Sequence, residues 1–173
     1  IARMYIPERT ARDPRRRFYR PWIDAGWLIV TEGDTTDYTR VRADIVAAHQ
    51  QHHIQALGYD TKSANEISRN LYNVDHINCV PIPQNMATLS EPAKAIEVAC
   101  RNRLLRHGGN KCMIWQAGNV KVRTDDIGNI LPSKKHSAGK IDGIAALVTA
   151  KAVAMTEEPP VEEPPVEEPP VEE

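Results

Sequence analysis

The sequence predicts an α/β fold, and three observations carry that prediction. Short β-favouring runs alternate with stretches of helical spacing, and turn-forming residues separate them. The last such stretch, residues 141–152, has apolar residues at three- and four-residue steps and reads as a helix facing a sheet. A helical bundle would not interleave strands in this way.

The opening "IARMYIPERTARDPRRRFYRPW" combines a basic run with three prolines, and residues 1–18 read as a basic lead-in loop that wraps an edge of the domain. Arg15, Arg16 and Arg17 read either as phosphate contacts or as a solvated cluster. "WLIVT", Trp27–Thr31, is a strand, and Asp37 caps the helix after it, whose stripe uses Val41, Ile45 and Ala48. "IQALGYD" supplies a second strand ending at Asp60, followed by a helix through Ile67 and Leu71. "INCVPIP" is a short third strand whose prolines favour an edge or an ending. Ser90 and Pro92 are expected to start the next helix. "KCMIW" and "VKVRT" read as short strands paired across "QAGN", and "DDIGN" as a turn.

At 173 residues the chain has room for one domain with a real core. It opens on Ile1 with neither an initiator Met nor a secretory apolar region, so it reads as a fragment or a processed product. No stretch approaches the apolar length of a membrane span. Three scattered cysteines, Cys79, Cys100 and Cys112, fit reduced thiols better than a disulfide framework, which makes the cytoplasm the expected compartment.

The net charge of −1 hides a division. Residues 157–173 hold eight glutamates and no basic residue; without them the body has 22 basic against 15 acidic side chains, or +7. A basic body suits a polyanion as well as simple solubility. The tail "EEPPVEEPPVEEPPVEE" repeats every five residues, and its paired prolines and mutual repulsion predict an extended, disordered appendage over 156–173.

Asp142 lies in the first turn of the final helix, where free N–H groups favour a carboxylate. Gly143 beside it permits close approach of another element or a ligand. Asp60 ends a strand, the place where open α/β sheets present functional groups. Each aspartate has a plain structural role available, helix-end carboxylate and turn former. Together they could converge on Mg²⁺ or Mn²⁺, since hard oxygen ligands suit these ions and the Cys and His positions lack a zinc spacing. Lys134, Lys135 and Lys140, with His136, form a basic loop that would draw phosphate toward them. Gln84 and Asn119 read as substrate-orienting or loop-holding amides, and His107 as part of a glycine-marked turn. Neither a Walker phosphate loop nor GxGxxG occurs.

Taken in order, "YRPWIDAGWLIVTEGDTTDY", "ALGYD", "VPIPQNMATLSEPAKAIE" and the block from "LLRHGGN" to "GKIDGIAALVTA" resemble the C-terminal nuclease domain of the large terminase subunit of tailed bacteriophages, over roughly residues 19–151. The resemblance implies an RNase H-like domain over 19–155: a mixed central sheet flanked by helices, incomplete at the N-terminus. It also implies metal-dependent cleavage of double-stranded DNA during genome packaging in the bacterial host cytoplasm, with two Mg²⁺ or Mn²⁺ ions in the intact domain. The implied partners are the terminase small subunit and the portal protein, with no membrane.

By this resemblance Asp60 and Asp142 match the second and third acidic positions, as catalytic residues and metal ligands. Gln84, Ser90, His107, Asn119 and Lys135 match other recurrent positions. The first acidic residue and the ATPase motor are expected upstream of Ile1, and Asp13, followed by Pro14, is a poor substitute. "TKS" after Asp60 and Lys111 depart from the family pattern. The chain is therefore expected to cleave weakly or not at all by itself. A non-catalytic DNA-binding or packaging-assembly module, or a degenerate prophage remnant, is the alternative.

Overall fold

The computed structural model describes residues 2–156; the acidic repeat expected to be disordered lies outside them, apart from Thr156. The chain begins with β1 (Met4–Pro7), α1 (Glu8–Arg12), a 3₁₀ helix (Pro14–Tyr19) and α2 (Arg20–Asp24). Next come β2 (Leu28–Thr31), α3 (Tyr38–His52), β3 (Leu57–Tyr59), α4 (Asn65–Asn73) and β4 (Cys79–Pro81). The remainder comprises α5 (Met86–Arg101), α6 (Lys111–Asn119), β5 (Val122–Thr124), β6 (Ile130–Pro132) and α7 (Asp142–Thr156).

The α/β class is borne out. Its pairing is mixed but divided among three ladders: β1 with β2 and β3 with β4 run parallel, and β5 with β6 antiparallel. Continuity comes from α7, which packs on β3, α5 and α6. One core gathers Ile82, Leu89, Ala93, Val148, Ala152 and Val153 between α5, α7 and the strand ends. A second, aromatic core joins Tyr19, Trp22, Leu28 and Cys112, with Trp115 packed against it and its ring centroid 5.2 Å from that of Trp22. Burial of large rings gives the basic opening segment its anchor.

Four local expectations are corrected. The lead-in is not all loop: Tyr5 and Ile6, β-favouring residues hidden by the arginines around them, pair with Ile29 and Val30. "KCMIW" is helical. Asn110 caps it by accepting the Met113 N–H at 3.0 Å, and buried Cys112, Met113 and Gln116 follow helical spacing; so short an apolar run reads equally well as strand until its cap is recognised. β5 therefore pairs with β6 across the "DDIGN" turn, where Asp125 accepts the Asn129 N–H at 2.8 Å. Finally, α5 starts at Met86 instead of Ser90: Asn85 accepts the Thr88 N–H at 2.9 Å, and Pro92 lies in the second turn. The Asp37 cap is as expected, its carboxylate accepting the Thr39 N–H at 2.8 Å.

Candidate functional site

Asp60 follows β3 directly. Its Oδ1 accepts the Lys62 N–H at 3.0 Å, and its carbonyl accepts from Ser63 and Ala64, so the residue shapes the turn into α4 while its side chain stays half-buried. Gly58, two residues earlier, sets the approach of β3 to α7. A Cβ there would stand 2.5 Å from Val153 Cγ2 and 3.2 Å from Thr149 Cγ2. Further along, Asp60 shares a pocket of about 200 Å³ with Gln84, Lys134, Ala145 and Val148. β3 thus runs along α7 toward the helix N-terminus.

Asp142 opens that helix. It precedes Ala145 by three residues, or about 4.5 Å of helix axis, and shares a face with Ala145 and Thr149. Ala145, one turn on from Asp142, lines the Asp60 pocket, whereas Asp142 itself lines a groove on the other side of the helix start. Lys134 joins the two surroundings: its Nζ stands 2.6 Å from Asp142 Oδ1, and the same residue lines the Asp60 pocket.

The start of α7 is fixed from two sides. Ile141, 1% exposed, plugs into the interior, and Gln116 Oε1 accepts the Gly143 N–H at 2.7 Å. A Cβ at Gly143 would lie 2.7 Å from Met113 Sδ, so the expected close approach at this glycine is made by α6. Asn119 Nδ2 donates to the Lys140 carbonyl at 3.3 Å and holds the basic loop just before Asp142. Lys140 and Asp142 also line a groove of about 450 Å³ with Arg3, Arg16 and Tyr19. Burial pushes the Tyr19 phenol above its ordinary pKa, and the charges of Cys112 and Asp142 add to the rise while Arg16 opposes it.

Other sequence candidates are distributed unevenly. Gln84 lies beside Asp60, with its Nε2 donating to the Ile82 carbonyl at 3.0 Å and to Thr149 Oγ1 at 3.4 Å. Lys135 is exposed on the basic loop. His107 does not line the Asp60 pocket; it lines a separate apolar groove with Cys100, Met113 and Ile144, beside a turn in which Gly108 and Gly109 take φ of 61° and 71°. Ser90 is structural, its Oγ accepting the Ile130 N–H at 3.1 Å. Asp13 caps the 3₁₀ helix, where Arg15 holds its carboxyl below the usual range. Gln116 was missed because "KCMIW" reads as a strand; the Asn110 cap and the 112, 113, 116 spacing are the signal for it.

Among the described residues, no group of three or more His, Cys, Asp or Glu side chains is placed to hold a metal ion. The Asp60 and Asp142 carboxylates nevertheless suit Mg²⁺ by donor chemistry, because that ion is commonly held by one or two carboxylates, waters and substrate phosphates. No helix among these residues is long and apolar enough to cross a membrane.

The chain is similar to known proteins along most of its length. Protein YmfN of Escherichia coli (strain K12) is 33% identical over 144 residues, 81% of this chain and 31% of that protein. The large terminase subunit of Enterobacteria phage HK97 is 26% identical over 153 residues, 88% of this chain and 30% of that one. The crystal structure of the HK97 large terminase superposes with a TM-score of 0.76 at 23% identity, covering 86% of this chain and 32% of that one; this likeness establishes the RNase H-like fold. The chain thus spans just under a third of each of these relatives. The family described as the terminase large subunit, endonuclease domain, matches residues 5–158, from within β1 onward, and the chain belongs to it.

Proposed function

We propose that this chain is the DNA-cleaving part of a phage packaging terminase, with Asp60 and Asp142 as its metal-binding and catalytic carboxylates. The observation supporting this most directly is Lys134, which pairs with Asp142 at the start of α7 and also lines the Asp60 pocket against the same helix. Asp60 and Asp142 would hold Mg²⁺ or Mn²⁺, two ions in the intact domain. When bound, such ions polarise the phosphodiester and activate water for its hydrolysis.

The chain's own groups supply position and charge. Gln116 and Ile141 fix the helix end that carries Asp142, and Asn119 holds the Lys140 backbone. Lys135 and Lys140 offer cations to the phosphates of double-stranded DNA beside the carboxylates. Gln84, tethered at its nitrogen, borders the Asp60 pocket and orients what enters it. Among the described residues β1 and β3 each pair along one edge only, and both approach α7, with Met4 Sδ 3.4 Å from a Cβ at Gly143. The upstream strand implied by the family resemblance would bring the third carboxylate between them. On this reading the parent protein cuts packaged DNA together with its small subunit and portal, and the present chain alone is weak.

Plasmid nicking in Mg²⁺ and in Mn²⁺ tests the assignment, using the chain extended by its upstream coding sequence. D60N and D142N should each lose more than the ~10–100-fold typical of residues that only orient a metal ligand. Unchanged cleavage in both variants would remove the assigned site. The second reading, a DNA-binding or assembly module without catalysis, draws on the absence of a three-donor cluster among the described residues. Salt-sensitive DNA binding with no metal-dependent cleavage in the extended chain would favour it.

A further inference from the structure

We propose that Lys134 is a built-in counter-ion, occupying the position of a divalent cation beside Asp142 and Asp60 and displaced when that cation binds. The inference rests on the metal-binding reading above and adds a residue that competes with the metal.

The Lys134 ammonium meets Asp142 Oδ1 at 2.6 Å, and the same residue lines the pocket of Asp60, so one lysine links the surroundings of the two carboxylates. The residue before it is held firmly. Ser133 N–H donates to the Lys121 carbonyl at 2.8 Å, and the Ser133 carbonyl accepts from His136 at 3.2 Å and Ser137 at 3.0 Å. Ser133 Oγ also meets His136 Nδ1 at 2.8 Å. The Lys134 side chain is exposed by contrast, at 68% against 56% for Asp142. A lysine on an anchored loop can therefore swing away without moving the loop.

An exposed pair of this kind is weak and screened by salt, whereas a divalent ion brings twice the charge to the same oxygen. Resting neutralisation and easy exchange follow together. The displaced ammonium stays within side-chain reach of the site, where an arriving phosphate offers its next partner.

Mn²⁺ binding to the full chain, followed by the electron paramagnetic resonance of the free ion, tests this directly. K134M should tighten Mn²⁺ binding by about two- to fivefold, the range a pair of this strength permits, while K134R should not. Acetylation of Lys134, read by mass spectrometry, should rise when Mn²⁺ is added. Binding seen only in K134M would support displacement. Unchanged or weaker binding in K134M, no binding in either protein, or acetylation indifferent to Mn²⁺ would overturn it. D60N and D142N separate the two readings: if they lose Mn²⁺ while K134M matches wild type, only the counter-ion fails; if they bind normally, the metal site fails as well.

Discussion

Gly58→Ala probes how β3 is brought against α7. The added Cβ would sit 2.5 Å from Val153 Cγ2 and 3.2 Å from both Ile82 Cγ1 and Thr149 Cγ2. Carbon atoms pack best at ~3.5–4.0 Å, so the nearest contact must open by about 1 Å. Val153, Ile82 and Thr149 are all buried, and the branched Val153 has little freedom to retreat. Overpacking of this kind costs ~1–3 kcal/mol. At roughly 2–4 °C per kcal/mol for a domain of this size, Tm should fall by about 2–12 °C. Urea and thermal unfolding of wild type, G58A, V153A and G58A/V153A measure the effect. Removing the opposing methyl groups should make the double variant more stable than the sum of the singles, with a coupling of ~0.5–3 kcal/mol. Strict additivity, or a G58A protein as stable as wild type, would refute the close packing of β3 on α7.

Two further predictions concern the framework around the site. Gln116→Leu leaves the Gly143 N–H without its acceptor at the start of α7 and should destabilise by ~1–3 kcal/mol; a Gln116→Leu protein as stable as wild type in denaturant titrations would count against the bond. Asp75→Asn breaks a bidentate pair with Arg42, whose two contacts of 2.7 and 3.0 Å hold the Asp75 carboxyl below its ordinary pKa of 3.8. A carboxyl lowered in the folded state contributes stability above its unfolded pKa and loses that contribution as pH falls through the folded value. With Arg42 partly exposed, D75N should therefore cost little at neutral pH, and the gap to wild type should close as pH falls through the folded carboxyl's value; a gap that does not narrow with acidification would contradict the pairing.

Features legible in the sequence were those determined within a turn or two. The Asp37 cap, "LIVT", "LGY" and the α7 stripe depend on local chemistry and period, and all appear where expected. "KCMIW" failed because five apolar residues do not fix a period, and that failure concealed Gln116. The start of α5 was misplaced because Pro92 outweighed the Asn85 cap, although a proline in the second turn removes one N–H without preventing the turns on either side. The arginine-rich opening hid β1, whose partner lies 24 residues downstream. Both aspartates could be named as candidates, and the order of landmarks pointed to the family. That Lys134 would reach Asp142 could not be read from their spacing, because it depends on how the 133–137 loop folds.

The site's geometry resides largely in residues without site chemistry. Along α7, Gly143 lets α6 approach at the first turn, while Thr149 and Val153 receive β3 through the missing side chain of Gly58. One helix is thereby fitted to two neighbours by two glycines. Asp60 follows Gly58 by two residues, and Asp142 immediately precedes Gly143. An added methyl group at either position would shift one carboxylate against the other while leaving every charged group in the sequence. A hard cation tolerates little error in the placement of its oxygens. Packing at Gly58 and Gly143 is therefore as much a condition for the proposed metal site as the two aspartates themselves.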